Sequence, residues 1–218
     1  GRVVYIHPQH NLAIVAYDPT LIGTTPVRSA QLSGEQLRPG ESVTVVGFSA
    51  DSELHSRTTQ IASIDPLELP LSRTMRFRDS NIEVAQLVNP PLDYDGVLLD
   101  RGGKVKGLWS SFAYENGRDL AQDNRGVEIG LVADMLDRVR TQRELHSLEA
   151  ELAPVPLSSA RDYGISNDWL QKISTHGGPR QVLSVVRLVG GAPALGVLQQ
   201  GDFVLAIDGV TVNRFREV

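Results

Sequence analysis

PLDYDGVLLDRGGKVKGLW, residues 91–109, reads as a loop, a short strand, a tight turn and a second strand. Residues 96–99 read as one strand and residues 104–109 as another, around Arg101-Gly102-Gly103. A Gly pair between two such strands is a hairpin signal. Asn89-Pro90-Pro91 closes the segment upstream, because proline fixes φ and offers no ladder donor. A loop and hairpin of this kind can carry a catalytic nucleophile at the mouth of a β-barrel. Residues 91–95 hold no Ser, Cys or Thr.

Working outward, the flanking sequence is rich in short strands. Residues 2–6 and 12–17 are β-branched and apolar runs separated by Pro8 and ended by Asp18-Pro19. Residues 42–48, SVTVVGF, follow the turn Arg38-Pro39-Gly40, and residues 58–64 end at Asp65-Pro66. Residues 82–88 and 126–130 complete the set. Many short strands with turn signals between them predict a sandwich or barrel. The period then changes: Leu131, Val132, Met135, Leu136 and Val139 recur at helical spacing. Arg138, Arg140 and Arg143 gather at its C-terminal end, where the helix dipole favours cations. Residues 141–147 carry no apolar period and read as a linker.

The last third forms a second unit. Residues 148–152 alternate as a strand, 158–163 suit a short helix, and Ser166-Asn167-Asp168 caps a further helical turn that begins at Trp169. Residues 182–189 are a strand, 192–198 a short helix, and 201–207 a strand that runs into the hairpin turn Asp208-Gly209.

The 218 residues are enough for one or two domains with sizeable cores. Net charge is −5 and the basic residues are scattered, which argues against a nucleic-acid partner. No apolar run approaches the roughly 18 residues of a membrane span. The absence of cysteine removes disulfides, thiolate catalysis and Cys-type zinc sites, and leaves the compartment open.

Residues 191–212, GAPALGVLQQGDFVLAIDGVTV, resemble a PDZ domain of the HtrA (DegP-like) serine protease family. The shared pattern is a small-Pro-Ala stretch, a short helix, Gly-Asp, an apolar strand and a turn with Gly. The first unit resembles the trypsin-like barrel of the same family. Residues 37–47 are similar to its strand after a Gly-acidic turn, Gln60-Ile61-Ala62-Ser63 to the next strand, and Asn89-Pro90 to the approach to its nucleophile loop. Residues 96–100 and 103–108 match the hairpin after that loop, and Gly126-Val127-Glu128-Ile129 the end of the barrel. The resemblance implies a mostly β fold. A trypsin-like (chymotrypsin-fold) barrel with a C-terminal helix covers 1–143 and lacks its N-terminal part. An α+β PDZ domain covers 144–218 and lacks its C-terminal part.

The departures from the family are chemical. Aligned through the downstream hairpin, the nucleophile position falls on Tyr94; aligned through Asn89-Pro90, it falls on Asp93. Neither replaces a serine: the phenol has a pKa near 10 and no base in view, and an acylated Asp gives no hydrolytic cycle. The Gly pair of the oxyanion loop becomes Asp95-Gly96, and a carboxylate repels a developing oxyanion. The triad aspartate position holds Asn11, which cannot stabilise an imidazolium by charge. The stretch that carries the catalytic histidine is expected upstream of Gly1. These departures resemble the second, degenerate barrel of the duplicated HtrA-like proteins of fungi and plants. His7-Pro8, His10-Asn11, Tyr17-Asp18-Pro19 and Gly107-Leu108-Trp109 also carry that resemblance.

Function is therefore expected to be binding rather than hydrolysis, with peptide or unfolded-protein segments, other domains of the parent chain and a trimer-based assembly as partners. The rival is an active serine endopeptidase in protein quality control whose catalytic residues lie outside this segment. Ser110 and Ser111, the nearest serines, lie on the wrong strand for a nucleophile. A PDZ peptide adds as a strand, its carboxylate held by loop amides. By resemblance that loop is Leu145, His146, Ser147 and Leu148, followed by the strand with Ala150 and Leu152. The loop lacks the usual glycines, which puts carboxylate capture in doubt. The opposite wall should be a helix that starts over residues 213–218, so that the chain stops as that helix begins. No cofactor or metal is implied. His7 and His10 read as surface or capping residues, and Asp93, Asp95 and Asp100 as a solvated loop without EF-hand spacing. Trp109 reads as core or rim packing, and Trp169 as packing on the PDZ core.

Overall fold

The chain, in a computed structural model, is described at residues 1–70 and 79–218. Its contacts divide into two units: residues 1–79 with 83–144, and residues 80–82 with 145–218.

In the first unit, β1 (Arg2–Ile6) and β2 (Ala13–Ala16) form an antiparallel pair. Six strands then close a barrel: β3 (Ser42–Ser49), β4 (Leu54–Pro66), β5 (Glu83–Leu87), β6 (Tyr94–Leu99), β7 (Val105–Asn116) and β8 (Asp119–Glu128). Their order around the barrel is β3-β4-β5-β8-β7-β6. Alternation along β3 turns Val43 and Val45 inward, as a period of two requires. They pack with Ile61, Ala85, Leu87, Tyr94, Leu98 and Trp109. Trp109 is fully buried and its indole N–H donates to the carbonyl of Pro91 at 3.1 Å, so the core role expected of it holds. Helix α1 (Ile129–Thr141) follows the barrel, with Arg138 and Arg140 in its last turn.

The sequence reading ended β7 at Trp109 and began β8 at Gly126. The structure carries both strands on to a tight hairpin in which Asn116 faces Asp119. Gly117, at φ 70°, opens its two-residue connection. The outer parts of these strands show mostly exposed or half-buried residues, so no clean apolar alternation marks them.

The second unit contains β9 (Ala150–Pro156), α2 (Leu157–Asp162), α3 (Asn167–His176), β10 (Gln181–Leu188), β11 (Phe203–Val204), β12 (Ala206–Ile207) and β13 (Val210–Thr211). β9 is an edge of the sheet β11-β10-β9. Asp208 and Gly209 both take positive φ, 50° and 79°, as a type I′ turn between β12 and β13 demands. Ser166 caps α3 by accepting the N–H of Trp169. One core gathers Ala150, Leu152, Leu183, Val185, Val204, Val212 and Phe215; another gathers Leu157, Ala160, Leu170, Ile173 and Val182. Trp169 belongs to neither. Its ring lies under the Lys172 ammonium, 4.5 Å from the centroid, on the polar side of α3. The wall expected after Val212 is a 3₁₀ turn, Phe215–Glu217, in which the Glu217 carboxylate accepts the N–H groups of Asn213 and Arg214.

Gly47 and Gly96 face each other where β3 crosses β6. A Cβ on Gly96 would lie 2.0 Å from the carbonyl oxygen of Val46, and one on Gly47 2.0 Å from that of Asp95. Gly96→Ala should destabilise the chain by roughly 1–3 kcal/mol, the range for overpacking. Gly130→Ala, where a Cβ meets nothing within 4 Å, should be neutral or stabilising. Urea unfolding of both variants checks this.

Candidate functional site

Two places are candidates, one in each unit. The first is the start of β6, where the sequence puts the nucleophile and oxyanion positions. Tyr94 is already a ladder residue, opposite Ser49 of β3. Its ring is 7% exposed, belongs to the barrel core and stacks on His55 at 5.2 Å. Loss of solvent, and then the nearby Asp93 charge, push the phenol pKa up. Asp93 is exposed and lies just before the strand. Asp95 faces outward; its carboxylate accepts from the Ser111 hydroxyl at 3.2 Å and the Asn124 amide at 3.3 Å. Ser111 is thus tied to a carboxylate rather than to a base. Gly96 is the β3–β6 crossing glycine. The close approach of main chain is a sufficient reason for glycine there.

Asn11 is placed elsewhere, in the turn between β1 and β2, and its backbone N–H donates to Asp79 Oδ1 at 2.8 Å. No hydrogen bond joins it to Tyr94 or Asp95. Among the described residues, no serine hydroxyl is hydrogen-bonded to an imidazole.

The same turn corrects the reading of His7 and His10 as surface residues. They are 4% and 6% exposed and stack at 4.4 Å. His7 does cap: its Nδ1 accepts the N–H groups of Gln9 and His10 at 3.2 and 3.1 Å. His10 Nδ1 has no hydrogen-bond partner and lies 3.9 Å from Asp79 Oδ1. Burial, and for His7 the neighbouring His10, hold both pKa values down at about 4. Burial pushes the Asp79 carboxyl up. No group of three or more metal-ligating side chains gathers among the described residues.

The barrel also buries a lysine. Lys106, 2% exposed, ion-pairs with Glu41. Nothing in the spacing of residues 104–109 marks Lys106 as buried beyond the bare alternation that leads to Leu108.

The second place is the edge of the PDZ-like unit. His146 and Ser147 are exposed, Leu145 half-buried, and Leu148 packs beside the core of Leu152 and Phe215. The Ser147 hydroxyl accepts the N–H of Glu149, which sits at φ 50°. Ala150 and Leu152 send their side chains into that core. Glu149 and Leu157 make their main-chain bonds toward the β10 side, with Val189 and Arg180. By the two-residue period, the N–H and C=O groups of Ala150 and Leu152 point the other way, off the sheet.

A barrel of chymotrypsin type followed by a PDZ-type unit is the class these features define. No family model matches the chain. It is 29% identical over its whole length to Protease Do-like 7 of Arabidopsis thaliana and 30% identical to the pro-apoptotic serine protease nma111 of Aspergillus clavatus. It is 29% identical to the PDZ domain-containing protein C23G3.12c of Schizosaccharomyces pombe. The chain spans 22% of the length of each of these relatives. Among solved structures, the HtrA-type protease AlgW with a decapeptide superposes with TM-score 0.55, covering 99% of this chain and 61% of that one at 17% identity. The curated homologues are thus Do-like, HtrA-like proteases, and the fold is the HtrA barrel-plus-PDZ fold.

The buried histidines set an acid limit. Below about pH 6.5 an unfolded histidine takes up a proton. The folded chain refuses it until about pH 4. Stability should therefore fall as pH drops between these values. Asp79, shifted up, offsets part of the loss at the acid end only. His7→Asn, which keeps an acceptor for the turn N–H groups, should flatten the slope of stability against pH by about half, since it removes one of two such titrations. Denaturant midpoints from pH 4.5 to 7.5 check both expectations.

Proposed function

We propose that this chain is a non-catalytic, protease-derived barrel joined to a peptide-binding PDZ unit, within a longer HtrA-like protein. It supports recognition of peptide or unfolded-protein segments, assembly or regulation, and proteolysis is the work of other domains of that protein. One observation carries the reading: the strand at the nucleophile position is a full ladder member, with Tyr94 turned into the core. A group in that position cannot reach a substrate carbonyl. The next residue, Asp95, turns its carboxylate outward to Ser111 and Asn124, and a carboxylate offers no donor to an oxyanion. The relatives carry protease names on chains far longer than this one, and AlgW is recorded with a decapeptide and with a tripeptide. Both facts favour a peptide-handling role for the PDZ unit. Trimer-based assembly is proposed by resemblance.

The test is a fluorophosphonate probe, which phosphonylates an activated serine with loss of fluoride. This chain should stay unlabelled at pH 7.5 while an active trypsin-like protease in the same tube is labelled. Stoichiometric labelling of any serine here would overturn the reading. Selection from a random decapeptide library with free carboxyl termini should enrich binders that are lost on Leu152→Asp, which would leave a buried charge at the groove floor.

A further inference from the structure

The edge of β9 is not open along its length. Residues 80–82 belong to the PDZ-type unit although the chain reaches them between β4 and β5. Asn81 lies at this edge. Its side-chain Nδ2 donates to the carbonyl of Ala150 at 2.7 Å, and its Oδ1 accepts the N–H of Leu152 at 2.8 Å. These are two of the four main-chain groups identified above as pointing off the sheet. One primary amide thus does what a single residue of an added parallel strand does, donating to one outward carbonyl and accepting from the next outward N–H. An antiparallel strand must use the same two groups, through two of its residues. Farther along β9 the outward positions are Pro154 and Pro156, which have no N–H to give. Asn81 therefore holds the one outward N–H after Ala150 that this strand can offer.

From this geometry we infer that residues 80–82 are a built-in occupant of the strand-addition edge, and that a peptide binds only by displacing the Asn81 amide from Ala150 and Leu152. The inference rests on the peptide-binding reading above. Asn81 takes a left-handed backbone, φ 54°, which Gly, lacking a Cβ, and Asn tolerate best. The contact is made by a short side chain on a backbone that suits it, and half of it is lost when either hydrogen bond breaks. Such a contact can yield to a ligand whose main chain offers both bonds and whose apolar side chain reaches the Leu148, Leu152 and Phe215 cluster.

The experiment uses the 218-residue chain and Asn81→Gly, which keeps the backbone and deletes the amide. Asn81→Asp is the second variant, since it keeps the acceptor for Leu152 and loses the donor to Ala150. Amide hydrogen exchange is followed at Leu152, with buried Leu183 and Val185 as reporters of folding. Binding of the pooled decapeptide library is measured in parallel. The Leu152 amide should be protected in the parent chain and should exchange at least tenfold faster in Asn81→Gly, while Leu183 and Val185 are unchanged. Library binding should tighten about tenfold in Asn81→Gly, the order expected when two competing hydrogen bonds of ordinary net strength are removed. Asn81→Asp should fall between. Equal library binding by parent and both variants would overturn the inference and leave peptide binding intact. Unchanged Leu152 exchange in Asn81→Gly would also overturn it. Faster Leu152 exchange with no library binding by any form would defeat the peptide-binding reading, and with it the role of Asn81 as a competitor.

Discussion

At the crossing of β3 and β6, Gly47 and Gly96 lie opposite each other with main chain where any side chain would go. That close approach lets β6 pair with β3 along its whole length from Tyr94 to Leu99, and with β7 from Gly96 onward. The bare Gly47 also leaves room for the Tyr94 ring, whose Cδ2 lies 2.9 Å from where a Cβ would sit, and Tyr94 joins the same core cluster as Val43, Val45 and Leu98. The start of β6 is thus filled by a phenol ring, and the chemistry of the barrel follows from that filling. Space that a nucleophile would need in front of the strand is core. The carboxylate that could have faced it, Asp95, is turned out to Ser111 and Asn124.

The two units differ in how they use polar groups. The barrel buries titratable side chains and partners two of them, Lys106 with Glu41 and His7 with the backbone of its own turn, while His10 Nδ1 has no hydrogen-bond partner. Burying a charged or protonatable group without a partner is costly, so these arrangements narrow the conditions under which the unit is stable. In the PDZ-type unit the exposed polarity is main chain, on the outer side of β9. Edge strands with unpaired main chain invite added strands, and natural folds restrain them with proline and with local caps. Here Pro154, Pro156 and the Asn81 amide divide that work.

Much of this was legible in the sequence, and the parts that were not share a cause. Short β-branched and apolar runs bounded by turn signals identified β1 to β3 and β5, and the period of 3.6 identified α1, whose one buried face leaves its mark on local spacing. Asp208-Gly209 gave its hairpin because the turn itself needs positive φ. Asn116-Gly117 carried a comparable signal that the reading passed over, since the polar stretch 119–125 hid the strand beyond it. A turn with Pro8 in it looks exposed, and the groups near it that go with its burial are distant in sequence: Asp79, 68 residues from Asn11, and Asp134 and Arg138 of α1. Asn81 was silent for the same reason. Its partners are 69 and 71 residues away, and nothing about an Asn before a strand says which strand it will meet.

The central claim is that β6 is core ladder from its first residue and not a mobile catalytic loop. Native-state hydrogen exchange on the amides of residues 94–99 measures this directly. The account predicts protection at Tyr94 and Gly96 comparable to that of Val45 and Leu98, released only with global unfolding of the barrel. Exchange of Tyr94 and Asp95 at the rate of an exposed loop, with Val45 still protected, would contradict it.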